Sequence, residues 1–154
     1  MIPTSDKGKK RAAWVLIATT CVAGFEGLRQ VAYRDPVGIP TACFGETHGI
    51  KMGQKFTLDE CKGLLSDSLE IANNGVNSCT HVALPDNRRA ALVSFTYNVG
   101  AGAYCRSTLV KKLNAGDAPG ACNELSKFVY AKGVKLPGLV SRREQERQLC
   151  LKEL

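Results

Sequence analysis

The chain has 154 residues, 21 Lys and Arg against 14 Asp and Glu, a formal charge of +7 and seven cysteines. This length suits one domain of about 100–200 residues and a core that forms without help from disulfides. Hydrophobic residues at 44% and charged residues at 23% exclude a disordered or collagen-like chain. The positive excess points to a polyanion: nucleic acid, anionic lipid or an acidic wall polymer.

The N-terminus carries Lys7, Lys9, Lys10 and Arg11, followed by an uncharged run over residues 12–25. A basic cluster followed by an apolar stretch is the layout of a secretory signal. The stretch is shorter than the ~20 residues that a membrane-spanning helix needs. It equally suits a buried first helix of the domain. Two processing sites are weighed, a small-residue site at Val22-Ala23-Gly24 and a lipoprotein-like one at Cys21.

Composition predicts a helix over residues 12–28. Residues 29–56 are rich in Gly and Pro, with Val, Ile, Tyr and Phe between them, and read as short strands and turns. Thr57-Leu-Asp-Glu60 is a capping box and opens a helix to about Asn73, stopped by Asn74-Gly75. Residues 85–99 are apolar around most of the helix circumference and predict a buried central helix ending at Gly100-Ala101-Gly102. A short helix over Ser107–Asn114 follows. Another starts at Asp117 and runs to about Ala131. Ser141-Arg-Arg-Glu144 matches a second capping box and opens the last helix. The fold class is therefore α+β, mostly α, with a small antiparallel β insert near the N-terminus. Residues 1–25 form a basic segment and an apolar helix, and residues 26–154 form the remaining domain, with the insert at about 29–56.

Cysteine spacing shows no CxxC and no His in a zinc-ligand pattern, so no metal is expected. Six cysteines fall into neighbouring pairs: Cys43 with Cys61, Cys79 with Cys105, and Cys122 with Cys150. Six allow 15 connectivities, so proximity only suggests these pairs. Cys21 is left over inside the apolar run. Such cysteine usage favours an oxidising compartment.

The insert holds the residues with chemistry. Glu26 follows Phe25 at the end of an apolar helix, where partial desolvation favours a protonated acid. Asp35 lies in a turn beside Pro36, where a carboxylate stays ionised and can activate water. Thr41 begins a strand. One protonated acid and one ionised base are what glycoside cleavage requires.

Glu26, then eight residues, Asp35, then five residues, Thr41 resembles the catalytic signature of phage-type lysozymes, a glycoside hydrolase family. The flanks Phe25-Glu26-Gly27, Ala32-Tyr33-Arg34-Asp35 and Val37-Gly38 match as well. So do Tyr97-Asn98-Val99-Gly100-Ala101-Gly102, Ser107-Thr108-Leu109, Gly138-Leu139 and Arg142-Arg143-Glu144. The chain resembles in particular the lambdoid-phage endolysins whose N-terminal signal-anchor is later released from the membrane. Cys43, Cys61, Cys122 and Cys150 stand where that subgroup has cysteines. The sequence departs from the family after Cys43, where Glu46 replaces the usual His and His48 lies two residues on.

The resemblance implies a lysozyme-like fold and a muramidase acting on peptidoglycan without a cofactor. Glu26 would protonate the leaving oxygen, and Asp35 with Thr41 would direct water to the opposite face. That implies inversion and carboxyls ~6.5–9.5 Å apart. Asn98 and Tyr33 are candidate substrate contacts, Asn98 alternatively capping the central helix. Arg142 or Arg143 is expected to pair with Glu26, and Cys21 is a candidate redox switch. Residues 7–25 would associate transiently with the inner membrane before the enzyme, a monomer, acts in the host periplasm. Signal cleavage before Glu26 would destroy the helix that presents the acid, so an uncleaved segment fits better. The alternatives are a lytic transglycosylase on the same bond and a non-catalytic basic wall-binding module. Few aromatics, dispersed Arg and Lys and no RNA-binding motif argue against nucleic acid.

Overall fold

A computed structural model describes residues 11–152. Lys7, Lys9 and Lys10 of the N-terminal basic cluster lie outside the described residues. The chain divides into two compact units, Met1–Ser68 and Leu69–Leu154, with the boundary inside helix α2.

In the first unit, α1 spans Ala13–Phe25, within the expected range. Val15, Ala18, Thr19 and Val22 are buried. Their spacing of three and four places them on one helical face, while Leu16 on the other side is exposed. The Thr19 and Ser66 hydroxyls share a buried hydrogen bond of 2.8 Å, and Arg11 pairs with Asp67 at 2.8 Å. Both contacts fasten α1 and the residues just before it to the middle of α2. Among the described residues no helix is long and apolar enough to cross a membrane.

Strands β1 (Arg29–Arg34) and β2 (Pro40–Cys43) form the expected antiparallel insert. Arg29 pairs with Cys43, Tyr33 with Thr41 and Arg34 with Pro40, with an irregularity between Arg29 and Tyr33. Over that interval β1 uses its other edge: Val31 bridges Lys55, and Ala32 N–H donates to Gln54 O at 2.9 Å. The Cys43–Cys61 disulfide ties β2 to α2.

Helix α2 spans Leu58–Cys79. Its capping box forms as expected: Glu60 N–H donates to Thr57 Oγ1 at 3.0 Å, and Thr57 N–H donates to Glu60 Oε1 at 2.9 Å. The expected stop at Asn74-Gly75 does not occur. Gly75 is a close-packing glycine, because a Cβ there would lie 2.7 Å from Ala101 Cβ.

The second unit is built on α3 (Asp86–Val99), the expected central helix, with Asn87 and the whole run Ala90–Thr96 buried. It ends at Gly100, whose φ of 92° suits glycine. A further helix, α4 (Ala101–Arg106), starts at once, which the two-glycine stop signal concealed. Ser107 caps α5 (Thr108–Asn114) by accepting from Val110 N–H at 3.2 Å. Asp117 caps α6 (Ala118–Glu124) through Gly120 N–H at 2.9 Å.

Two expectations fail here. The helix from Asp117 ends at Glu124 rather than about Ala131, and one 3-10 turn (Leu125–Lys127) follows. Tyr130–Ala131 (β3) and Val134–Lys135 (β4) then form a small hairpin around Gly133. The second capping box does not form either. Pro137 takes the first turn of α7 (Pro137–Leu151), so Ser141 lies inside the helix and accepts from Gln145 instead, at 3.3 Å. Proline at that position is already set for helix entry. Disulfides Cys79–Cys105 and Cys122–Cys150 complete the three neighbour pairs. Cys21, on α1, belongs to none of them.

Candidate active site

The three candidate catalytic residues lie in the first unit. Glu26 is the residue at which α1 stops. Its N–H still donates to Val22 O at 3.1 Å, but its backbone is extended (φ −93°, ψ 142°). The helix therefore delivers a half-buried carboxyl at its rim, three residues before β1.

Asp35 occupies the turn between β1 and β2. Its Oδ1 accepts from Val37 N–H at 2.9 Å and from Ile39 N–H at 2.8 Å. Its own N–H donates to Ile39 O at 2.9 Å, and its carbonyl accepts from Gly38 N–H at 2.9 Å. Gly38 has φ 87°, a region that costs other residues. Arg34 Nη1 donates to Gly38 O at 3.1 Å. The turn thus fixes the carboxylate through one oxygen, and Oδ2 accepts none of these bonds.

Thr41 is buried, 4% exposed. Its hydroxyl donates to Ile39 O at 2.9 Å. The hydroxyl proton is committed, so the oxygen is left as an acceptor. Tyr33 stands directly across from Thr41, and Asp35 follows Tyr33 by two residues. Directly opposed residues of paired strands share a face of the ribbon, so Tyr33 and Thr41 are neighbours there. Arg29, which sequence reasoning did not single out, stacks on Tyr33 with its guanidinium carbon 4.2 Å from the ring centroid.

Glu46 returns the chain to β2: its N–H donates to Ala42 O at 2.8 Å and its carbonyl accepts from Ala42 N–H at 2.9 Å. Its Oε2 accepts from Ser68 Oγ at 2.8 Å. His48 is exposed in the loop that follows.

The other candidates lie in the second unit. Arg142 and Arg143 are buried on α7, and both meet the fully buried Glu146. Arg142 Nε donates to Glu146 Oε2 at 3.2 Å, and Arg143 Nη1 to Oε1 at 2.5 Å. Ser94 Oγ donates to Oε2 at 2.6 Å, and Arg142 Nη2 donates to Ser94 O at 3.1 Å. Burial holds the Arg143 guanidinium below its ordinary pKa, and Glu146 works against that shift. Arg143 Nε donates to Phe128 O at 2.9 Å, and its Nη2 donates to Asn98 Oδ1.

Asn98 therefore serves Arg143 and does not cap α3; the helix end is closed by Gly100 N–H on Thr96 O. Asn98 and Arg143 line a cavity of about 330 Å³ with Val99, Phe128, Tyr130 and Leu139. Ser94 and the ionic role of Glu146, whose pair Glu146-Arg147 resembles the family's last helix, are what the sequence did not reveal. Arg142, Arg143 and Glu146 stand three and four residues apart on one helix, and that spacing was the available signal. Among the described residues no group of His, Cys, Asp and Glu is arranged to hold a metal ion.

Comparison with known proteins agrees with this architecture. Residues 23–146 match the phage lysozyme family. A SAR-endolysin of bacteriophage PS119 is 45% identical over 129 residues, covering 83% of this chain and 77% of that protein. The muramidase domain of SpmX from Asticaccaulis excentricus superposes with a TM-score of 0.83 at 28% identity, covering 93% of this chain and all of that one. The active form of the P1 phage endolysin Lyz gives 0.78 at 29% identity, covering 95% and 87%. The secreted inactive form of the same endolysin gives only 0.55, at 24% identity over 92% and 96%. By its sequence over most of its length and by its fold, this chain belongs to the phage lysozyme family.

Proposed function

We infer that the protein is a phage endolysin, a muramidase that hydrolyses the β-1,4 bond from N-acetylmuramic acid to N-acetylglucosamine in host peptidoglycan. The observation that carries this reading is the catalytic-type spacing set on a built frame. Glu26 sits at the α1 terminus, and Asp35 and Thr41 sit on one hairpin. Glu26 protonates the leaving oxygen. Asp35 Oδ2 takes a proton from water, and the Thr41 oxygen accepts the water's other hydrogen. Water then attacks the opposite face of an oxocarbenium-like centre, giving inversion. An arginine of α7, Arg142 or Arg143, pairs with Glu26, and Asn98 and Tyr33 contact the glycan.

The enzyme acts as a monomer in the periplasm, and residues 7–25 tether it to the inner membrane before release. Cys21 acts there as a redox switch: its thiolate attacks a disulfide sulfur, and one of the bonded cysteines leaves as thiolate. Equal timing of lysis in wild type and Cys21→Ser contradicts the switch.

Glu26→Gln tests the enzyme reading directly. The variant keeps the shape of the side chain but has no proton to give. Clearing of chloroform-treated Gram-negative cells should slow by at least about 10²–10⁴-fold with an unchanged circular dichroism spectrum. Undiminished clearing overturns the assignment of the acid.

A further inference from the structure

Arg29 has no place in the mechanism above, yet its setting is specific. It is exposed on β1, and among the described residues its side chain has no carboxylate and no hydrogen-bond partner. It lies instead over Tyr33 at 4.2 Å. Tyr33 stands across from Thr41, and Asp35 is two residues further on. Stacking removes much of the rotamer freedom of an arginine while leaving its donors outward. The irregularity between Arg29 and Tyr33, where β1 pairs with residues 54–56 instead of β2, lets the two side chains meet.

Most of the other arginines differ. Arg34 spends a donor on Gly38 O, Arg88 and Arg89 donate to Cys150 O and to Asn73 and Asn77, and Arg11, Arg142, Arg143 and Arg147 are paired with carboxylates. A pre-oriented guanidinium with its donors unspent, over the tyrosine that opposes Thr41, suits a planar anion. Bare glycan offers only the lactyl carboxylate held against each muramic acid ring, whereas a peptide stem carries carboxylates on a longer chain that can reach a guanidinium beside the glycan.

We propose that Arg29 is a specificity-determining residue that binds a carboxylate of the peptide stem and so favours stem-bearing glycan. This rests on the muramidase reading. Purified sacculi are compared with sacculi whose carboxyls have been amidated with carbodiimide and ammonia, using wild type, Arg29→Gln, Arg29→Lys and the charge control Lys62→Gln. Wild type should prefer native over amidated sacculi by about five- to tenfold, the scale of one ordinary hydrogen bond made at an exposed site, through KM with kcat unchanged. Arg29→Gln should abolish the preference, Arg29→Lys should keep part of it, and Lys62→Gln on α2 should keep all of it. Equal loss on both substrates in Arg29→Gln, or no preference in wild type, overturns the proposal and leaves Arg29 as a prop for Tyr33. Failure of the muramidase reading shows separately, as no hydrolysis of native sacculi by wild type.

Discussion

The turn at Asp35 and the charge cluster on α7 both hold charged side chains in place, by opposite means. The turn is exposed, and its hydrogen bonds join residues no more than four apart. The cluster is buried, with Glu146 at 0% exposure, and it recruits Ser94 and Asn98 from more than 40 residues away. A carboxylate in water needs only local amides to orient it. A carboxylate in the core needs partners for every lone pair, because an unpaired buried charge costs several kcal/mol. The half-buried Asp35 carboxylate keeps one oxygen for chemistry, whereas the buried Glu146 carboxylate is committed to structure.

Asp35→Asn gives the largest contrast. The amide oxygen can still accept from Val37 and Ile39, so the turn and the thermal midpoint should persist. Lytic activity should fall by about 10²–10⁴-fold. Retained activity would place the base elsewhere. Glu146→Gln should do the reverse to the core. It removes the Glu146 carboxylate that both buried arginines meet and should lose about 3–5 kcal/mol in urea unfolding. A loss below 1 kcal/mol would mean that the buried cluster is as loosely held as a surface pair.

The smallest effect belongs to the exposed pair Glu144–Arg147 on α7. The Arg147 hydrogen bond lowers the Glu144 carboxyl from 4.5 to about 2. A lowered value means that its contribution is present above the ordinary range and is lost as pH falls through about 2. In Arg147→Gln, an NMR titration should move Glu144 back toward 4.5, with little change in the melting curve at pH 7. An unmoved midpoint would remove the pair.

The same division explains what the sequence revealed. The Thr57 capping box, the Ser107 and Asp117 caps and the turn at Asp35 depend on neighbours, and all could be read from residue types. The disulfide pairs were readable as neighbours although not provable from spacing. Gly75 reads as a stop because glycine usually breaks helices, but its role is set by Ala101, which lies 26 residues on in another helix. The Tyr130–Lys135 hairpin was hidden because two-residue strands have no period to detect. Asn98 was placed near the site, yet its bond to Arg143 depends on how α3 and α7 pack. Arg29 gave no signal, because its stacking on Tyr33 follows from an irregularity in strand pairing.

The central claim is hydrolysis by one acid and one water-directing base on the first unit. It is tested most directly by digesting sacculi in H₂¹⁸O and analysing the muropeptides by mass spectrometry. Hydrolysis gives reducing muramic ends that carry one ¹⁸O from the attacking water. Anhydro-muramic ends without ¹⁸O would contradict it and establish a lytic transglycosylase on the same bond.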